Sequence, residues 1–136
     1  AGKSNCWEAF ASERSAVARY SNMIKSANGK NKVSFDALVE LALKGDENAV
    51  AALKQTAHYI GVGIANLFQG LAPEVTIVTG AIVRAWLLVV EDIISGAESA
   101  ICQGYPKVRI IPSTLGNYPK LMGSISLVLT DKFAFA

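Results

Sequence analysis

One histidine and two cysteines are all that a chain of 136 residues contains of the common nitrogen and sulfur metal ligands, and each shortage narrows what the chain can do. A Ser/His/Asp or Cys/His arrangement would have to be built around His58 alone, which sits among apolar helix positions without a supporting neighbour, so nucleophilic catalysis of that kind is unsupported. A lone histidine supplies no metal cluster either, and His58 reads as a packed or surface imidazole. Cys6 and Cys102 lie far apart in sequence, which speaks against a disulfide framework and for a reducing cytoplasm. Charge is scarce too, at 18% of residues with a net +2, a balance that argues neither for nor against nucleic acid. Long uninterrupted apolar runs are missing: Lys54, Gln55, His58, Asn66 and Gln69 break one helix, and Glu91 and Asp92 break another. No transmembrane segment is therefore expected, and no leader of the secretory type opens the chain. The expectation is a cytoplasmic protein with no membrane partner.

What is present is a chain sized for one domain, 51% hydrophobic, with a positive mean hydropathy of +0.33. Such a surface expects company, and pairing with another copy of the chain is the expected form. The spacing of Phe10, Val17, Ala18, Tyr20 and Ile24 predicts an amphipathic helix from Trp7 to about Met23. Ser34 is a natural N-cap for a second helix ending at Leu43. Gly45 closes that helix and Asp46 caps a third, whose apolar line runs through Val50, Leu53, Ala57, Ile60, Ile64, Leu67 and Phe68. Val75 to Val78 is a short β-branched run of the kind found in buried parallel strands. A fourth helix is expected over about Ile82 to Cys102, a second strand over Lys107 to Ile111 between Pro106 and Pro112, and a last helix over Leu121 to Phe133. Helix, strand, helix, strand, helix is an α/β order, and two strands are too few for a full sheet.

The stretch from Tyr59 to Gly80, YIGVGIANLFQGLAPEVTIVTG, is the most distinctive. Gly61 and Gly63 each cost a helix about 1 kcal/mol relative to Ala, so close approach of another backbone is the expected compensation. The remaining motifs are thinner. Gly2-Lys3-Ser4 has the ending of a phosphate-binding loop, but the strand and first glycine of that motif are not in the chain, and an ordinary polar loop is the reading kept. Glu91 and Asp92 are adjacent helix positions that point in different directions, so they form a solvated face and not a carboxylate dyad. Cys6 in Cys6-Trp7-Glu8 is either a packed thiol or one zinc ligand whose companions precede Ala1.

Ala1 to Glu8, AGKSNCWE, resembles the tail of the signature C-x-C-G-x-x-G-C-x-E of the ROK family, a group of sugar-responsive repressors and sugar kinases. The following EAFASERSAVARY is similar to that family's helix. DENAVAALKQTAHYIGVGIANLFQGLAPEVTIVTG, from Asp46 to Gly80, and PSTLGNYPKLMGSISLVL, from Pro112 to Leu129, resemble its long helix with glycine-bearing strand and its closing segment. The resemblance implies an α/β fold: part of an actin-like, ribonuclease-H-like ATPase-clamp lobe, helix-rich with a small parallel sheet. Residues 1–136 would be a C-terminal lobe fragment, with the N-terminal lobe, any DNA-binding domain and the catalytic residues outside it.

By the same resemblance Glu8 matches a carboxylate that accepts hydrogen bonds from sugar hydroxyls, and Cys6 matches a zinc-ligand position. Thr79, Gly80 and Ala81 fall at the adenosine side of the kinases, Gly80 on one glycine of a pair. Departures accompany the matches. Ala1 stands where the middle cysteine belongs and Asn5 where a glycine does, so the zinc site is incomplete and no zinc or other cofactor is expected in this chain. Thr79 replaces the first adenosine-side glycine, which tilts the reading towards a regulator. The regulator reading implies a sugar or sugar-phosphate effector, DNA binding through a domain outside the chain, and a homo-oligomer. The alternatives are an ATP- and Mg-dependent sugar kinase of the glucokinase type and a structural lobe with no ligand site.

Overall fold

A computed structural model of the chain describes residues 7–24, 33–102 and 107–114. Five α-helices occur among them: α1 (Glu8–Ala11), α2 (Glu13–Ile24), α3 (Phe35–Leu43), α4 (Glu47–Leu71) and α5 (Trp86–Ala100). Two short strands, β1 (Thr76–Val78) and β2 (Ile110–Pro112), pair in parallel, and a 3-10 segment (Ala81–Ala85) links β1 to α5. The expected closing helix over 121–133 and Cys6 lie outside the described residues.

Local chemistry sets the two central helix starts. Ser34 Oγ accepts from the Ala37 amide at 3.2 Å and Asp46 Oδ1 from the Ala49 amide at 2.8 Å, each satisfying a donor that the first helical turn leaves free. Between them Gly45 takes φ +92°, the left-handed conformation that ends α3. The predicted single helix from Trp7 is instead broken at Ser12, whose backbone is extended (φ −80°, ψ 157°). Its hydroxyl accepts from the Ser15 amide at 3.3 Å and so caps α2. Serine's competition for nearby amides outweighs the apolar period at this point.

The fourth helix also differs from expectation. Its first turn is the 3-10 segment, and α5 ends at Ala100, before Cys102. Strand β2 is displaced towards Pro112, which the ladder tolerates because the Val78 carbonyl takes its hydrogen bond from the Ser113 amide, at 2.8 Å. Nor is β1 buried on both faces: Val78 is covered, whereas Ile77 is 56% exposed and Val75 lies at the surface. Only one neighbouring strand is present among the described residues, so the sheet is the partial one expected.

Helix α4 is the spine, with α2, α3 and α5 packed on it around Leu38, Val39, Leu53, Val89 and Ile93, all fully buried. The α4–α5 crossing is close enough that glycines are required on both sides. A Cβ on Gly61 would stand 2.7 Å from the Ala97 nitrogen, and one on Gly96 would stand 2.9 Å from the His58 carbonyl carbon. The backbone approach expected at Gly61 is thus present. At Gly63 the occupant is a side chain instead, the indole of Trp7. No described helix is long and apolar enough to cross a membrane.

Candidate functional site

The helical turn α1 carries Glu8 at its start, and α1 alone has too few residues to hold a helix in water. Its position is set by contacts to one stretch of α4 and to α2, where Ser15 Oγ donates to the Ala9 carbonyl at 2.5 Å. Trp7 Nε1 donates to the Tyr59 carbonyl at 2.5 Å, and the indole lies over Gly63. Phe10 packs on Tyr59 with ring centroids 5.1 Å apart. From α2, Arg19 donates through Nη2 to the Phe10 carbonyl at 2.6 Å and through Nη1 to Thr56 Oγ1 at 2.7 Å, with its guanidinium carbon 5.1 Å from the Tyr59 ring centre. Thr56 in turn donates to the Ala52 carbonyl at 2.8 Å, which satisfies the hydroxyl of this buried polar side chain. Burial lowers the Arg19 pKa, an effect that Tyr59 opposes. Glu8 itself is exposed.

The second feature is the turn after β1. Gly80 adopts φ +100° with ψ −178°, a region open in practice only to glycine, and it starts the 3-10 segment. Thr79, Gly80, Ala81 and Ile82 face Ala11 and Glu13 across a cleft of about 130 Å³ floored by Thr56 and Ile60 of α4. The fold therefore brings the Thr79–Ala81 turn to the junction of α1 and α2. Glu8 is not among the residues lining this cleft. Arg84, at the far end of the 3-10 segment, pairs with Asp36 at 3.3 Å and with Glu40, tying the turn to α3.

Other sequence candidates are placed as follows. His58 is half-buried on α4 with its ring edge-on to Tyr59 at 5.9 Å. Glu91 is exposed while Asp92 turns towards Lys54 on α4, 3.6 Å away, so the two carboxylates do diverge. Among the described residues no group of three or more His, Cys, Asp or Glu side chains converges as a metal site. Cys102, at the end of α5, donates to Gln69 Oε1 at 3.2 Å. Sequence reading missed Arg19, Thr56 and Glu13. Thr56 alone gave a signal, as a polar residue among the apolar positions of α4.

Residues 1–131 match the model of the ROK family. The chain is 29% identical over 133 residues to a xylose repressor from Bacillus spizizenii and 27% identical over 130 residues to one from Bacillus subtilis, in each case over 94% of this chain and 32% of the relative. It thus spans about a third of the length of the curated relatives it matches. Among solved structures it is similar to a ROK family glucokinase from Streptomyces griseus in complex with glucose and AMPPNP, with a TM-score of 0.80 and 23% identity, over 93% of this chain and 45% of that one. It is also similar to a ROK family transcriptional regulator, a homolog of the E. coli MLC protein, with a TM-score of 0.71 and 20% identity, over 82% of this chain and 30% of that one. Likeness at these identities concerns the fold: a helix-rich α/β lobe of actin-like type with a small parallel sheet.

Proposed function

The chain belongs to the ROK family, and from that premise we propose that it is the C-terminal part of the sugar-sensing domain of a transcriptional regulator. The observation that carries this reading is the run of xylose repressors among its relatives, matched over nearly the whole chain. The likeness to a glucokinase is a likeness of fold at lower identity and does not outweigh it.

In this reading Glu8 accepts hydrogen bonds from hydroxyls of a sugar or sugar-phosphate, with the rest of the site supplied by sequence outside the chain. A carboxylate suits the task because it accepts several hydrogen bonds and discriminates sharply against a ligand that lacks the matching hydroxyl. Sugar favours one closure of the clamp, and closure changes the spacing of DNA-reading domains carried elsewhere in a cytoplasmic homo-oligomer. Neither zinc nor a nucleotide takes part through residues of this chain. The test is a band-shift titration of the full-length protein on its promoter DNA. Release of DNA by an aldose such as D-xylose or D-glucose, or by its phosphate, is expected, and DNA binding indifferent to every aldose and aldose phosphate tried would defeat the reading.

A further inference from the structure

Trp7 is 47% exposed, yet its N–H is committed to the Tyr59 carbonyl and a glycine is kept beneath its ring. A tryptophan whose purpose was to fill the core would be more deeply covered. Its contacts and those of Arg19 share two properties. Their side-chain hydrogen bonds end on the Thr56–Gly63 stretch of α4 or on α1 itself, and the two that reach α4 span long sequence separations, 52 residues for Trp7 to Tyr59 and 37 for Arg19 to Thr56. The break at Ser12 leaves α1 without a continuous helix to align it. Any tilt of α1 on α4 therefore moves Glu8, the residue next to Trp7.

We propose that Trp7 and Arg19 are positioning residues for Glu8, docking the helical turn that carries it into the notch at Gly63, so that sugar contact and docking are energetically coupled. The inference rests on the reading of Glu8 as a sugar contact. Arg19 clamps the end of the turn through the Phe10 carbonyl, and Trp7 fixes its start. Gly63 serves as the seat, because a methyl group there would stand 2.5 Å from the indole Cζ2. Sugar drawing on Glu8 stabilises the docked turn, and an undocked turn presents the carboxylate in the wrong place.

The experiment is calorimetric titration of the full-length protein with D-xylose and D-glucose, on wild type, Glu8→Gln, Trp7→Phe, Gly63→Ala and the Trp7→Phe/Glu8→Gln double variant. Gly63→Ala improves helix propensity, so it unseats the indole without weakening α4 as a helix. Glu8→Gln is expected to weaken sugar binding roughly tenfold or more, as loss of a charged acceptor does. Trp7→Phe and Gly63→Ala are each expected to weaken it by roughly three- to tenfold, and Trp7→Phe to have almost no further effect once Glu8 is Gln. With Trp86 and every tryptophan outside this chain replaced by Phe, the indole emission reports Trp7, and it should shift on adding sugar and stay still when Glu8 is Gln. Affinity losses that simply add in the double variant, with unchanged Trp7 emission, overturn the positioning role while leaving Glu8 as a sugar contact. Glu8→Gln with wild-type affinity overturns the sugar site and this inference together.

Discussion

Gly61 of α4 lies against the Ile93 carbonyl of α5, so close that a methyl group on Gly61 would overlap it and would also stand 2.7 Å from the Ala97 nitrogen. Backbone offers no flexible end to move aside, so alanine forces the two helices apart. Gly61→Ala and Gly96→Ala should each destabilise the fold by about 1–3 kcal/mol or more, the usual range for overpacking. Gly70 is the control: it is exposed in the same helix with nothing near its missing Cβ, and Gly70→Ala should be neutral or stabilise by up to about 1 kcal/mol. Urea denaturation of the three variants checks the contrast, and equal losses at all three would contradict it.

Gly80 has open space around its missing Cβ, so the objection to a side chain there is conformational and not steric. At φ +100° alanine should cost about 1–3 kcal/mol, even though it removes no contact. Thermal melting of Gly80→Ala shows the loss directly.

Tyr20 is buried on α2 with its hydroxyl 3.4 Å from Asp46 Oδ2. Loss of hydration, then the Asp46 charge and the hydrogen bond to it, raise its pKa above the ordinary value of 10.0. A phenol whose folded pKa is raised stays protonated in the folded state while the unfolded chain already ionises. Its contribution is complete below about pH 10 and is lost as the pH rises through the folded pKa. The urea midpoint should therefore fall above pH 10, and Tyr20→Phe should flatten that fall relative to wild type.

Zinc should be absent from the purified chain. By resemblance to the family signature Cys6 alone falls at a zinc-ligand position of this chain, and Cys102 and His58 are placed for other contacts. Elemental analysis showing one zinc per chain would contradict this.

Much of the helical frame was legible because short-range chemistry sets it: the Ser34 and Asp46 caps and the Gly45 stop act within a turn of themselves. The break at Ser12 was written in the same chemistry, but the apolar period running through it from Phe10 to Tyr20 masked it. The 3-10 start at Ala81 left no mark, since its apolar pattern suits either helix. The roles given to Glu8 and the Thr79–Ala81 turn came through family resemblance, whereas Cys6 had already stood out as a packed thiol or zinc ligand by its chemistry. The Trp7–Gly63 and Arg19–Thr56 pairings could not be read at all, because they depend on which helices meet. Gly63 shows the difference well. Its presence announced a close neighbour, and only the fold revealed an indole instead of a backbone.

Regulator and kinase differ most directly in what the full-length protein does with sugar and ATP together. Calorimetry with D-xylose and D-glucose, followed by a phosphoryl-transfer assay with Mg-ATP on whichever sugar binds, tests the central claim. The account predicts saturable sugar binding that Glu8→Gln weakens roughly tenfold or more, with no sugar phosphate formed. Catalytic formation of a sugar phosphate from ATP would contradict it.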